Sequence, residues 1–240
     1  MSLRHLLIAA IAVGLLVVGA RGAPETEATS AVDRAVEIAT LPCVGIQSTS
    51  SGYVIDDETV LTVAHALFET RDFAVLDSDG MWRRGEIVRL DLERDLAIVS
   101  VDGLRSTPVA QAPSRAVSEW PDTPVRMIEG AASGSADATI VRRVKLVTQV
   151  VGDRSLESDR KGYEVALDIG PGDSGAAILD AEDQLVGVIF ARSTKRDAVA
   201  WATAVDEIDV TPAPVPSWEC DDNVEIELDL RWREPERLAG

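Results

Sequence analysis

The run GPGDSGAAI, residues 170–178, packs three glycines, a proline and an acid around a single serine, Ser174. Such residues form tight surface turns, but they also suit a nucleophile loop, where glycines let backbone N–H groups crowd a reacting oxygen. The second use requires partners. A serine hydroxyl attacks poorly until a neutral imidazole takes its proton, and the imidazole needs a carboxylate on its other nitrogen to fix the tautomer and stabilise the imidazolium. The chain supplies both. His65 lies in VLTVAHALF and is the one histidine outside the N-terminal segment. Asp95 lies in LERDLAIVSV; Asp91 and Asp102 are near it, but only Asp95 directly precedes the apolar run LAIV. Gly172 and Ser174 are the candidates for turning backbone N–H groups towards a developing oxyanion, a contribution of about 3 kcal/mol to the barrier.

These residues must be held by strands. CVGIQS, SGYVI, TVLTVAHAL, DFAVLDS, GEIVRLD and DLAIVSV are short, β-branched segments separated by Gly, Asp or Ser turns. After a polar, Pro-containing stretch at about 105–124 a second series follows: PVRMIEG, ATIVRRVKLVTQVV, GYEVALDI, GAAILD, QLVGVIFA and AVAWATAV. Two groups of about six strands predict an all-β pair of barrels. Upstream, SAVDRAVEIATL has apolar residues at helical spacing, with Ser30 placed as N-cap and Asp33 at the capping-box distance, so a short helix is expected before Pro42.

LTVAHAL, RDLAIV and GPGDSGAAILD followed by QLVGVIFA resemble the histidine, aspartate and serine motifs of the chymotrypsin/trypsin clan of serine endopeptidases. The compact bacterial, HtrA-like branch is the part of the clan they most resemble, and the likeness covers about residues 43–208. The resemblance implies two six-stranded antiparallel β-barrels with the site in the cleft between them. It also implies His65 as general base, Asp95 as its orienter, Ser174 as nucleophile and an oxyanion hole from Gly172 and Ser174. Peptide or protein is the implied substrate. Two departures stand out. Ala176 and Ala177 follow Gly175 where the family usually has Gly-Pro or Gly-Ala. No Ile-Val-Gly-Gly activation sequence precedes His65, so a side-chain cation such as Arg142 or Arg143 is expected to meet Asp173. Asp168, six residues before Ser174, stands where trypsin-like enzymes keep the acid that binds substrate Arg or Lys; the alternative is a carboxylate facing solvent at a strand end.

The chain is acidic, with 41 acidic against 23 basic side chains and a net charge of −18, which argues against nucleic acid or anionic membranes as partners. Residues 1–23 read as a signal peptide or anchor: Arg4 precedes an apolar run, Leu6 to Ala20, of about fifteen residues, shorter than the ~20 that span a bilayer. Export is therefore expected, secreted or at the cell surface, with membrane contact only if that segment is retained. Cys43 and Cys220 would form one disulfide in an oxidising compartment, or remain buried thiols. Neither cysteine nor histidine spacing suits a metal, and no cofactor is expected. The layout is a linker and short helix at 24–42, a protease domain at 43–208 and a Pro-rich, acidic extension at 209–240. In that extension Val224, Ile226, Leu228, Leu230 and Trp232 alternate as in a half-buried strand. A monomer is expected. Other hydrolase patterns fail: an α/β-hydrolase elbow needs glycine two residues after the serine, and Ala176 is there. The reading from a different class is an inactive protease-like module that docks peptides or a partner protein.

Overall fold

The computed structural model describes residues 31–104, 122–130, 134–146, 160–205 and 210–220. Two β units stand side by side. The first is a curled seven-stranded antiparallel sheet of β1 (Ala35–Pro42), β2 (Ser48–Asp56), β3 (Thr59–Thr62), β4 (Thr70–Leu76), β5 (Trp82–Arg84), β6 (Glu86–Asp91) and β7 (Leu96–Ser100), in the order β5-β4-β1-β2-β3-β7-β6. The second is a closed six-stranded barrel of β8 (Thr123–Ile128), β9 (Ser135–Leu146), β10 (Arg160–Ala166), β11 (Ala177–Leu179), β12 (Leu185–Arg192) and β13 (Val199–Ala204). The all-β, two-barrel architecture expected from the strand spacing is present; the first unit has one strand more than expected and remains open between β5 and β6.

The helix expected over SAVDRAVEIATL is replaced by a single 3-10 turn, Ala31–Arg34, followed by β1. Ala35, Val36, Ile38, Ala39 and Leu41 are buried, and so are Glu37 and Thr40 between them. A strand covered on both faces shows no alternation, so its apolar spacing mimics a helix. The first sheet accordingly begins before residue 43. CVGIQS is not a strand either. It is a loop into β2, with Val44 and Ile46 at 90% and 85% exposure.

Each unit has its own core. Val36, Ile38, Val54, Val60, Phe73, Val75, Val99 and Val101 fill the first; Met127, Ile140, Tyr163, Val165, Ile178, Val186 and Ile189 fill the second. A third apolar cluster welds the two: Tyr53, Ile55, Leu61, Val63 and Ile98 from the first sheet meet Ile128, Leu179, Leu185, Val188 and Phe190 from the barrel. The strands that lead to His65 and Asp95 both contribute to this weld, so the functional side chains emerge at its rim.

Residues 210–220 cross the first sheet. Ala213 N–H donates to Val88 O of β6 at 3.1 Å, Trp218 Nε1 donates to Thr70 O at 2.7 Å, and the Trp218 ring meets Phe68 edge-on. Cys43 and Cys220 are joined in a disulfide. It closes most of the chain into one loop, so its removal should cost about 5 kcal/mol through the unfolded state. Cys220→Ser is expected to lower the midpoint of urea unfolding correspondingly, with reductant lowering the wild type but not the variant. Among the described residues no helix is long and apolar enough to cross a membrane. The leader and the alternating stretch at 224–232 lie outside the described residues.

Candidate active site

β3 ends at Thr62 and the chain turns into a short 3-10 segment, Ala64–Ala66, that carries His65. Asp95 precedes β7 with φ +58, in the left-handed region that Asp tolerates better than most residues. The two meet twice. His65 N–H donates to Asp95 Oδ1 at 2.8 Å, and His65 Nδ1 lies 2.9 Å from Asp95 Oδ2. With Nδ1–H committed to the carboxylate, the Nε2 lone pair is left as the basic face of the ring. The imidazole is about a third exposed and Asp95 is more covered.

Ser174 comes from the second barrel, in the loop between β10 and β11. Its carbonyl accepts from Ser51 N–H at 2.7 Å. Ser51 ties the loop further: its hydroxyl donates to Gly172 O at 2.9 Å and accepts from Gly130 N–H at 3.0 Å, while its carbonyl accepts from Thr62 Oγ1 at 2.7 Å. Thr62 thus links the serine loop to the strand that ends three residues before His65. Gly172 and Gly175 have φ of +101 and +92, values that glycine alone adopts without strain. Among the described residues the Gly172 and Ser174 N–H groups donate to no protein acceptor, and the Ser174 hydroxyl makes no hydrogen bond to His65. Two unspent donors therefore sit on the loop that carries the serine hydroxyl. A cleft of about 40 Å³ adjoins them, lined by Thr49, Ser50, Ser51, Gly130, Pro171, Gly172 and Asp173.

Among the described residues no cation pairs with Asp173. Asp173 Oδ2 accepts instead from Gly170 N–H at 2.7 Å, folding the loop back on itself. Arg142 is engaged elsewhere: it pairs with Glu164 at 2.6 Å, and Arg143 lies over the Tyr163 ring. Arg196 also reaches Glu164, and its hydrogen bond, followed by that of Arg142, holds the Glu164 carboxyl below its ordinary range against the opposing effect of burial. Ala176 is accommodated fully buried in the barrel core, its N–H donating to Asp173 O. Asp168, beyond the end of β10, is exposed.

Three residues at the site carry no sequence signal of their own. Ser51 is one serine in a serine-rich stretch. Arg160 and Thr203 both donate to Arg94 O, at 2.9 and 3.1 Å, and so hold the turn that presents Asp95. Nothing in the sequence distinguishes Arg160 from the other arginines. No group of three or more His, Cys, Asp or Glu that could hold a metal occurs among the described residues.

Proteins of known structure share this fold. No curated protein matches the sequence significantly. Solved structures do match in fold: the active form of the Rv3671c protease from M. tuberculosis superposes with a TM-score of 0.65 at 22% identity, over 73% of this chain and 77% of that one. The HtrA-type protease AlgW bound to a tripeptide gives 0.58 at 20% identity, over 73% and 57%. A serine endoprotease from Yersinia pestis gives 0.56 at 18%, over 72% and 59%. The sequence itself matches the trypsin-like peptidase domain across residues 50–188, more than half the chain and inclusive of all three motifs, and the protein belongs to that family.

Proposed function

We propose that the protein is an exported serine endopeptidase using His65, Asp95 and Ser174. The observation that carries this reading is the double contact of His65 with Asp95, at 2.8 and 2.9 Å, with Thr62, three residues before His65, bonded to Ser51, which ties down the Ser174 loop. His65 Nε2 takes the hydroxyl proton as Ser174 Oγ attacks the peptide carbonyl, and Asp95 steadies the imidazolium. The N–H groups of Gly172 and Ser174 receive the oxyanion. The imidazolium then hands its proton to the leaving amine, and water hydrolyses the acyl-enzyme by the same route in reverse. A disulfide between distant cysteines and the apolar leader both support export.

A fluorophosphonate that reacts with activated serines tests the assignment: labelling of the wild type but not of Ser174→Ala supports it. The second reading, a module that docks peptides without cleaving them, draws on the missing hydrogen bond between Ser174 and His65. It predicts a folded wild type that stays unlabelled, with and without residues 211–240.

Specificity turns on Asp168. An exposed carboxylate in water contributes little to binding a cation. Asp168→Asn should therefore change the ratio of arginyl to phenylalanyl peptide hydrolysis by less than about tenfold. A loss of arginyl preference of about a hundredfold, near 3 kcal/mol, would instead make Asp168 the receptor of the substrate cation.

A further inference from the structure

Arg160 opens β10 in the second barrel, yet its side chain is only 2% exposed and is directed at residues of the first sheet. Its Nη1 donates to Arg94 O at 2.9 Å and lies 3.5 Å from Asp95 Oδ2, the same oxygen that faces His65 Nδ1 at 2.9 Å. The guanidinium carbon stands 3.9 Å over the Phe190 ring of β12. Nε has no hydrogen-bond partner. A buried guanidinium with an unsatisfied donor is a costly way to fill space, which an aliphatic chain of similar length would fill without that cost.

We propose that Arg160 is a positioning residue for the His65–Asp95 pair, reaching across from the barrel that carries Ser174 to lock the aspartate turn and to hold its carboxylate against the imidazole. This rests on the peptidase reading of His65, Asp95 and Ser174. Two effects are separable. The hydrogen bond to Arg94 O, shared with Thr203, fixes the left-handed turn at Asp95. The charge stands 3.5 Å from Asp95 Oδ2, the oxygen that faces His65 Nδ1, and holds that carboxylate in place against the ring. The surroundings leave this role to Arg160. On the aspartate's own turn Arg94 faces Asp91 at 3.9 Å and is more than half exposed, so the two largely offset each other. Glu93 is exposed on the same turn. β12 and β13 contribute uncharged Phe190 and Thr203, and the segment bearing His65 places Ala64 and Ala66 on either side of it. Burial pushes the Arg160 pKa down and Asp95 opposes that, so the residue remains a cation.

The full-length chain is compared with Arg160→Gln, which keeps a donor for Arg94 O but loses the charge, and with Arg160→Lys, which keeps the charge but loses the planar fork. Two quantities are read: kcat and KM for a peptide substrate, and the NMR resonance of the His65 Nδ1–H that faces Asp95. Arg160→Gln should lower kcat by about tenfold with KM within about twofold, and should displace or broaden that resonance. Arg160→Lys should keep the resonance while lowering kcat by about threefold. A folded Arg160→Gln variant with the wild-type kcat and resonance, whatever its melting temperature, would reduce Arg160 to a structural tie and overturn the proposal. If the glutamine variant does not fold, the lysine variant decides, since loss of the resonance with the charge still present contradicts the proposal. The resonance needs no turnover. A wild type that hydrolyses nothing would remove the peptidase reading, while the NMR comparison still judges the effect of Arg160 on the His65–Asp95 pair.

Discussion

Ser174→Ala should abolish peptide hydrolysis, lowering kcat by about 10⁴-fold or more while KM changes little. The size follows from what the hydroxyl does. On the proposed mechanism it forms the covalent bond that divides one high barrier into two lower ones. Water attacking in its stead would still profit from the N–H groups of Gly172 and Ser174, so a small residual rate is expected. The substitution should be silent in stability. Ser174 holds its place through its carbonyl, which accepts from Ser51 N–H, and alanine retains that bond. Circular dichroism melts beside initial-rate measurements check both parts. A variant that melts like the wild type and still cleaves at more than a tenth of its rate would refute the nucleophile assignment.

Gly175→Ala should cost more than about 5 kcal/mol and lower the melting temperature by more than about 10 °C. A Cβ there would lie 1.8 Å from Ser51 O and 2.6 Å from Thr62 Oγ1, at a φ of +92. These atoms cannot step aside. Ser51 O is the acceptor of the Thr62 hydroxyl, and Ser51 N–H is committed to Ser174 O, so relief would part β2 from the serine loop. Any soluble fraction should therefore be inactive as well as unstable. Gly170→Ala supplies the contrast: its Cβ would meet nothing within 4 Å, and its N–H bond to Asp173 survives the change. That variant should melt within about 2 °C of the wild type. Equal melting of the two variants would contradict the close approach.

These two glycines show how far the sequence could be read. A motif such as GDSG is legible because the serine and the N–H groups left without an acceptor are neighbours along the chain. His65 and Asp95 are legible for a similar reason, each lying beside an apolar strand. Their supports are not: Ser51, Arg160 and Thr203 reach the site through contacts remote in sequence, and their residue types are common on any surface. β1 was hidden by its position. Burial on both faces extends even to Glu37 and Thr40, so the period of two disappears and a helical spacing is left. The loop at 43–47 errs in the opposite direction: its apolar Val44 and Ile46 read as a strand but lie in water. A three-residue strand such as β5 has too few positions to show any period.

The course of residues 210–220 has a consequence for the protein's survival. Peptidases bind polypeptide in extended form, laid along an unpaired strand edge, and a proline-rich extended tail offers that shape to neighbouring copies of the enzyme. Here the tail is held at Val88, at Thr70 and through Cys43. On the proposed peptidase reading the tail must peel away before it can be cut, so those three fastenings oppose self-digestion, and the tail in turn covers the β6 edge at Val88 O.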